Sequence, residues 1–538
     1  MDGKTIFGAL LTLIAVQPLA AQHNTGTADS LFRTAEVCIA CHNGLTAESG
    51  QDISIGFDWR SSMMANSSRD PYWQAGVRRE VMDHQVADAA IQDKCATCHM
   101  SMARYMAHAG GASGAVFANL PIGDSEHPGS SLAADGVSCT VCHQVRAEGL
   151  EDPSSYSGEF KVDERTPLGE RPVFGPFEVD DGRTRVMHSS SGFKPEEARH
   201  IESSALCGSC HTLYTHALNE RGEDMGELAE QMPYIEWLHS SYRETQSCQS
   251  CHMPEAEGEA NVSNVLGQPR ANVSRHVFRG GNFFMPRMLN RYRDELGAEA
   301  LAVEFEATAR RSAEHLASRS ATLTVEPLVV GSSMISFDVV VQNLAGHKLP
   351  TAYPSRRAWL HVTVTDRNGV VIFESGAVRE NGSIVGNDND ADGSRFEPHY
   401  RTIDDPDEVQ IYEAIMEHYN GGPTTGLLNG VRYLKDNRVL PHGFDKSTAD
   451  WDIAVAGDAA EDENFVGGHD RVRYEVEKST AGWPLTISAE LLYQPISYRW
   501  AENLADYDAH EPQRFVRYFR SMSNASYQLL AETTAEVN

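Results

Sequence analysis

The hydrophobic and polar positions of the chain follow different patterns before and after residue 320. In the second part, β-branched and aromatic residues alternate with polar ones in short runs, which is typical of half-buried strands. These runs cover residues 321–325, 335–341, 359–364, 472–476 and 485–493. Asn368-Gly369 adds a tight hairpin signal. We therefore predict an Ig-like β-sandwich of about seven strands over residues 321–500, with a polar, acidic insertion over 378–470.

The first part of the chain lacks such long periodic runs. It predicts a domain rich in loops and short helices over residues 22–290, followed by a linking helix over 291–320. A C-terminal helix is predicted over 501–538, because its large apolar residues share one helical face. These residues are Phe515, Val516, Phe519 and Met522. The predicted fold class is α+β and multidomain.

Residues 1–21 resemble a signal peptide. Lys4 precedes an apolar run over residues 6–16, and Pro18-Leu19-Ala20-Ala21 is suited to cleavage before Gln22. An uncleaved anchor is the alternative, but this run is short for a bilayer span. We expect a periplasmic or extracellular protein with no membrane insertion after cleavage.

The chain is strongly acidic, with a formal net charge of −31 over 538 residues. The negative electrostatic potential of such a chain repels nucleic acid and anionic membrane surfaces, which are therefore poor partners. It favours redox partner proteins with a basic docking surface, although solubility alone also explains the charge.

All ten cysteines fall into five Cys-x-x-Cys-His motifs, numbered 1 to 5 in chain order. The motifs are Cys38/Cys41/His42, Cys95/Cys98/His99, Cys139/Cys142/His143, Cys207/Cys210/His211 and Cys248/Cys251/His252. This spacing is the attachment signal of c-type haem, in which two thiols bond to the porphyrin and the histidine binds the iron. We predict five covalent haem c groups, with these histidines as proximal iron ligands.

Zinc sites and redox dithiols are the alternative interpretations of such motifs. A zinc site would combine two of these motifs, and five motifs cannot all be paired. A redox dithiol does not require a histidine after every pair. Disulfides are expected in an exported chain, but haem attachment leaves no cysteine for them.

Several phrases around the motifs resemble multihaem cytochromes c, of the broad group related to hydroxylamine oxidoreductase and tetrahaem electron carriers. These phrases are Asp135–His143, Leu206–Tyr214, Cys248–Pro254, His276–Asn282, Gly346–Thr351 and Tyr353–Arg357. The resemblance covers about residues 30–365. It implies stacked haems and electron transfer, and it does not select a substrate.

The second, distal iron ligands must come from the 17 histidines outside the motifs, the remainder of 22 after the five motif histidines. His276 and His347 stand in turns, where the resemblance places ligating histidines. His239 and His127 are further candidates, as is one of His188 and His200. Two histidines that follow their motifs closely, His108 and His216, have a structural alternative.

The haem of motif 1 has the least obvious partner. Met63, Met64 and His84 are its candidates, and an open distal side is the alternative. A thioether ligand raises the potential of a haem. Both methionines have the alternative role of packing against porphyrin edges.

A possible calcium loop begins at Asp388, since Asp388, Asp390, Asp392 and Gly393 match the first half of an EF-hand loop. Position twelve is His399 where the EF-hand has glutamate, so Glu397 or a distant carboxylate has to complete the site. A solvated acidic turn is the alternative.

The leading functional interpretation is an exported electron carrier with five haems. The second is a multihaem oxidoreductase in which one open-sited haem acts on a small nitrogen or sulfur compound. A third makes the β-sandwich a module for docking or polymerisation, and therefore allows an oligomer or filament.

Overall fold

The computed structural model describes residues 30–331, 333–477 and 482–537. The predicted signal peptide, residues 1–21, lies outside them. The protein has helices throughout and several sheets, which confirms the α+β class. No described helix is long and apolar enough to cross a membrane.

Short helices dominate the first 300 residues. In chain order the helices are α1 Glu36–Ile39, α2 Ile55–Arg60, α3 Pro71–Asp83, α4 Asp88–His99, α5 Ser101–Ala109, α6 Ser130–Ala134, α7 Cys139–Cys142, α8 Asp181–Ser191, α9 Ser204–Gly208, α10 Pro233–Leu238, α11 Cys248–His252, α12 Phe284–Arg291, α13 Arg293–Leu296, α14 Ala302–Arg319, α15 Asp388–Ala391, α16 Tyr498–Glu502 and α17 His510–Met522. Each Cys-x-x-Cys-His motif overlaps one of these helices, namely α1, α4, α7, α9 and α11. One helical turn therefore brings the cysteines and histidine of each motif together.

Strands are concentrated after residue 320. In chain order they are β1 Pro172–Gly175, β2 Lys194–Glu197, β3 Leu213–Leu218, β4 Asp224–Gln231, β5 Ala260–Asn261, β6 Pro269–Arg270, β7 Ala321–Val330, β8 Met334–Asn343, β9 Arg357–Thr365, β10 Val371–Ser375, β11 Thr402–Ile403, β12 Ile411–His418, β13 Pro423–Thr424, β14 Gly430–Asp436, β15 His469–Glu477, β16 Leu485–Gln494 and β17 Gln528–Val537.

Two larger sheets form from β7 onward, and we call this part the two-sheet region. One has four strands in the order β11-β15-β8-β7; the other has seven, with β13-β12-β9-β16-β17 as its main path. Alternate residues such as Val339 and Val341 from one sheet and Val362 and Ile487 from the other are buried in one hydrophobic core. The paired sheets thus exclude water from their facing sides.

The predicted insertion, residues 378–470, contributes to the sheets. Its strand β12 is buried over Ile411–Met416 and pairs with β9. Glu413 interrupts the apolar pattern of β12, but it is buried beside Lys435, whose Nζ lies 3.1 Å from its carboxylate. Because Glu413 is charged, the sequence of β12 does not show the continuous apolar pattern expected of a buried strand.

The C-terminal segment also differs from the sequence prediction of a helix over 501–538. The helix α17 ends at Met522, and β17 then pairs antiparallel with β16. The alternation of exposed Glu532, Thr534 and Glu536 with less exposed residues has the two-residue period of a strand.

The linking helix is shorter than predicted, since α14 begins at Ala302 and not at residue 291. Its inner side and α12 share the hydrophobic core of the two-sheet region through Phe305, Leu316 and Met288. The ion pair Arg78–Glu511 connects α3 with α17. The two parts of the chain are therefore packed together.

Candidate haem-binding sites

The motifs converge on one continuous cavity of about 1010 Å³. Its walls include cysteine and histidine side chains of motifs 1 to 4, Gln249 and Ser250 inside motif 5, and Ser247 and Met253 beside that motif. Cavities for single small ligands span about 300–1,000 Å³, so this one is at the top of that range. The separate motifs in the sequence thus belong to one site.

Two predicted haem-attachment residues, Cys41 and Cys251, are the second cysteines of motifs 1 and 5. Neither lies on the cavity wall, and nor do Cys248 and His252. The thiol of Cys251 instead donates a hydrogen bond to the Gln246 Oε1 at 3.2 Å. Cys41 follows the end of α1 and is half-buried. Motif spacing alone therefore supports haem attachment at Cys41 and Cys251.

Four of the five motif histidines are held in the same way. The Nδ1 atom of each lies within hydrogen-bonding distance of a backbone carbonyl, and this contact orients the ring. The pairs are His42 with Val262 (2.5 Å), His99 with Ser67 (2.9 Å), His143 with Phe174 (2.6 Å) and His252 with Arg279 (2.6 Å). A proton on Nδ1 leaves Nε2 available to a metal, which is how metal-binding histidines are usually oriented.

Burial keeps these rings neutral. It lowers the pKa of His99 and of His252 to about 4 and also lowers the pKa of His42, His143 and His211. Neutral imidazole is the form that binds metal ions. The motif histidines therefore meet the chemical requirement for axial ligands.

Cysteines of different motifs lie next to one another. The thiols of Cys38 and Cys139, of Cys98 and Cys210 and of Cys207 and Cys248 lie close enough to shift one another's pKa. Cys142 is close enough to both cysteines of motif 4 to act on them electrostatically. Motif 4 therefore adjoins motifs 2, 3 and 5, and motif 1 adjoins motif 3.

His276 lies opposite His143 of motif 3. Their ring centroids are 6.3 Å apart and their planes differ by 20°. With metal–nitrogen bonds of about 2 Å, two imidazoles on opposite sides of one metal have centroids about 6 Å apart. Burial lowers the pKa of His276 to about 3, and its Nδ1 atom is buried without a hydrogen-bond partner.

His347 has the same relationship to His252 of motif 5, with centroids 6.3 Å apart and an angle of 11°. Its Nδ1 atom lies 2.9 Å from the carbonyl oxygen of Lys348. A third ring, that of His315 on α14, lies 6.0 Å from His252 at an angle of 62°. Its Nδ1 atom is buried without a partner.

His315 is not among the ligands predicted from the sequence. The residue follows Thr308 and Ser312 at helical spacing, and both of these face inward. A histidine that continues the inner face of a helix was the available signal.

Elsewhere in the described ranges, no second histidine ring packs against His42, His99 or His211. His99 stacks on Trp73 instead, with centroids 4.4 Å apart. The described structure thus brings two of the five motif histidines opposite another histidine.

The remaining histidine candidates of the sequence analysis lie apart from these pairs. His127 is exposed, and its Nδ1 accepts a hydrogen bond from Gly129. His239 is exposed, and its Nδ1 lies 2.8 Å from the carbonyl oxygen of Ile235. His200 contacts the carbonyl of Val145 through Nε2. These contacts give the three side chains local structural roles.

His188 differs from His200 because its Nε2 is buried without a partner. His108 forms a hydrogen bond with Asp93 and His216 with Asp224, both at the surface. These pairings favour the structural alternative for His108 and His216.

The candidates for motif 1 fall into two groups. Met63 and Met64 line the cavity. His84 is only 2% exposed, and neither of its ring nitrogens has a hydrogen-bond partner. Such an unpaired buried group is unusual, and it leaves His84 available as a ligand.

The possible calcium loop has a different arrangement. Asp390 accepts two hydrogen bonds from Arg357, at 2.8 and 3.0 Å, and both side chains are buried. Asp388 pairs with Arg395, and Asp392 accepts hydrogen bonds from Ser394. The three carboxylates therefore bind separate protein partners and do not converge on a calcium ion.

His399, the twelfth position of that loop, belongs to another buried cluster with Asp462 and Asp470. Its Nε2 lies 3.2 Å from Asp462, while Nδ1 accepts hydrogen bonds from the amides of Gln410 and Asn437. Those contacts place the proton of the neutral ring on Nε2. This tautomer offers no free nitrogen lone pair for a metal.

Comparison with known proteins gives a likeness of fold. No protein-family model matches the chain, and none of the curated proteins matches it significantly. The crystal structure of a penta-haem cytochrome c552 from Thermochromatium tepidum is similar, with a TM-score of 0.53 and 16% sequence identity. The alignment covers 95% of this chain and 100% of that chain. The likeness shows a shared fold. The relation to multihaem cytochromes of the hydroxylamine oxidoreductase group stays a prediction.

The residues fit c-type haem. Thiols adjoin neutral, oriented imidazoles, and many apolar side chains line the cavity between them. Covalent haem attachment uses this donor set.

Proposed function

We propose that the protein is an exported cytochrome that transfers electrons through five covalently bound haems. The observation that carries the proposal is the convergence of residues from the five motifs on one cavity, with thiols of neighbouring motifs close enough to shift one another's pKa. Bound haem supplies one-electron exchange between ferric and ferrous iron. The protein attaches the porphyrins, orients the motif histidines and excludes water.

The contacts between cysteines suggest an order of electron transfer. Each thiol bonds to the edge of its own porphyrin, so adjoining motifs imply neighbouring porphyrin edges. We infer a path from motif 1 through motif 3 to motif 4, which branches to motifs 2 and 5. The shared likeness to a penta-haem cytochrome supports this arrangement.

The distal ligands follow from the two ring pairs. We propose His276 for the haem of motif 3 and His347 for the haem of motif 5. His347 lies in the loop between β8 and β9, so this bond connects the two-sheet region, for which we propose an Ig-like arrangement, with the haems. A basic redox protein is the proposed partner, and the predicted signal peptide supports a periplasmic or extracellular location.

The test is the haem content of the mature protein. Intact mass and the pyridine haemochrome spectrum should give five covalent haems, and an alkylating reagent should label no thiol. Cys41 and Cys251 are the most informative positions, because neither lies on the cavity wall. Three or fewer haems, or free thiols, would contradict the proposal.

A second function is favoured by one observation: His42, His99 and His211 lack an opposing histidine ring in the described part of the chain. An iron without a strong second ligand can bind a small nitrogen or sulfur compound, and the protein is then an oxidoreductase. Low-temperature EPR of the oxidised protein separates the two functions. Wholly low-spin signals support the carrier, whereas a high-spin ferric signal supports the oxidoreductase.

A further inference from the structure

Each of the two proposed distal histidines stands next to a buried cation. Arg275 directly precedes His276, and Lys348 directly follows His347. Arg275 is 9% exposed and Lys348 is 0% exposed. Because consecutive Cα atoms lie only about 3.8 Å apart, a contact that fixes the cation also restricts the position of the histidine.

Arg275 is fixed by Asp58 on α2. Its Nε and Nη2 atoms donate hydrogen bonds to the two carboxylate oxygens of Asp58, at 3.0 and 2.9 Å, and Asp58 is itself buried. A two-point contact of this kind sets the orientation of the guanidinium as well as its distance. The backbone N–H of Arg275 also donates a hydrogen bond to the carbonyl of Pro254 at 3.0 Å. The residue before His276 is therefore held through both its side chain and its backbone.

Lys348 is held in the same two ways. Its Nζ atom lies 2.7 Å from the carboxylate of Asp436, the last residue of β14. Its backbone N–H donates a hydrogen bond to the Oε2 of Glu236, a buried residue of α10, at 3.1 Å. The carbonyl oxygen of Lys348 lies 2.9 Å from the Nδ1 of His347. Lys348 thus connects two buried carboxylates with the His347 ring.

The energetics of buried charges favour a positioning role for these pairs. The cost of removing two charges from water offsets most of their attraction, so a buried ion pair is a poor source of net stability. Its best-attested use is to fix one arrangement of the chain. If either histidine segment moved away, a charge would stay buried without its partner, and such alternative positions are therefore disfavoured.

We propose that these two ion pairs position the distal haem ligands. Asp58 holds His276 at the iron of motif 3, and it acts through the neighbouring arginine. Asp436 holds His347 at the iron of motif 5, and it acts through the neighbouring lysine. The inference rests on the proposed function, because it requires both irons and their histidine ligands.

The experiment uses oxidised holoprotein in which mass spectrometry has already established five haems. The variants are Asp58→Asn, Asp436→Asn and, as a matched control, Asp390→Asn. Asp390 also forms a buried two-point pair with an arginine, Arg357, at 2.8 and 3.0 Å. Arg357 does not adjoin a proposed ligand in the sequence. Low-temperature EPR is recorded for each protein with and without added imidazole.

Asp58→Asn and Asp436→Asn should each move most of one haem equivalent from the low-spin to the high-spin signal. Added imidazole should return this signal to low spin, because the iron remains in place and only its ligand has moved. Asp390→Asn should keep the wild-type spectrum, although it loses a comparable ion pair. In a His347→Ala background, Asp436→Asn should add no further high-spin signal, because both changes act on the same iron.

Lys348→Met is a second variant for the iron of motif 5. It removes the cation, while Asp436 keeps its ion pair with Arg438. It therefore tests the inference even where Asp436→Asn does not fold, and it should give the same high-spin signal.

The inference is overturned if Asp58→Asn, Asp436→Asn and Lys348→Met all have the spectrum of Asp390→Asn. A change at one iron alone overturns the positioning role of the other ion pair. If His276→Ala and His347→Ala themselves leave every iron low-spin, the proposed ligands are wrong instead. The two failures are therefore distinct.

Discussion

The imidazole of His347 lies almost parallel to that of His252, with ring centroids 6.3 Å apart and an angle of 11°. His252 closes motif 5 on α11, whereas His347 stands between β8 and β9. This relationship brings the two-sheet region to the haem motifs. If one iron binds both rings, the two-sheet region is part of the redox unit and not a separate appendage.

Replacement of His347 by alanine should leave five covalent haems, because attachment depends on the Cys-x-x-Cys-His motifs alone. One iron should lose its second ligand and become high-spin or bind water. EPR of the oxidised protein should show one haem equivalent moving from the low-spin to the high-spin signal. Potentiometry should show a shifted midpoint for the same haem.

His315→Ala is the matched control for this change. Its ring is also about 6 Å from His252, at 6.0 Å, but is inclined by 62°. We expect the His315 variant to keep its low-spin signals. The opposite result, with loss of low spin only in His315→Ala, would assign the iron of motif 5 to His315.

Replacement of His276 by alanine should affect the iron of motif 3 in the same way, because the His276 ring lies opposite His143. The expected change is one haem equivalent of high-spin signal. His200→Ala is the control, since His200 already contacts the Val145 carbonyl through Nε2. Equal spectra for both variants would remove His276 from the proposed ligands.

The sequence alone predicted the haem motifs because their chemistry is local. Two thiols and a histidine within one helical turn are sufficient for attachment, so spacing carries the whole signal. The turn residues His276 and His347 were also candidates from the sequence. Their distances from His143 and His252 depend on tertiary packing, which no local pattern contains.

The sequence predictions that failed also failed because the deciding contacts are between residues distant in the sequence. His315 looked like part of an ordinary helix, because the ring that it approaches, that of His252, is distant in the sequence. Glu413 made the β12 segment look polar, although its charge is paired with buried Lys435. Asp390 looked like a calcium ligand because its partner, Arg357, stands in a distant strand.

The buried ion pair of Lys348 with Asp436 should be important for stability. Lys348 follows His347 directly, its side chain is fully buried, and its Nζ lies 2.7 Å from the Asp436 carboxylate. Removal of one partner from a buried pair costs about 3–5 kcal/mol; Arg438 still pairs with Asp436 in the variant, so the lower end of this range is expected. Lys348→Ala should therefore lower the free energy of unfolding, measured by denaturant titration, by about that amount.

Glu314→Ala is the control for this prediction. Arg310 and Glu314 form a pair whose side chains are 69% and 68% exposed. Exposed pairs contribute about 0–1 kcal/mol, so this variant should remain close to the wild-type protein. A Lys348→Ala variant as stable as Glu314→Ala would contradict the structural role of the buried pair.

Asp470 should make the stability of the two-sheet region depend on pH. The carboxyl group is fully buried against Tyr412, Gln410, His399 and Asp462, and burial raises its pKa to about 7. The folded state thus binds this proton more tightly than the unfolded state, in which the pKa is about 3.9. The tighter binding of this proton therefore adds to the free energy of unfolding in full below about pH 4, and this contribution is lost as the pH rises towards 7.

Asp470→Asn is the test, because asparagine keeps a carbonyl that accepts the hydrogen bond of Tyr412 but cannot ionise. Melting temperatures are measured for both proteins between pH 4 and pH 8, and the difference between them isolates Asp470 from other titrating groups. Each pKa unit corresponds to about 1.4 kcal/mol, so the wild-type protein should lose on the order of a few kcal/mol of its free energy of unfolding across this pH range. The variant should gain stability relative to the wild-type protein as the pH rises through this window. A constant difference across the window would mean that Asp470 is ionised in the folded protein and that the cluster with His399 and Asp462 holds its charge by another interaction.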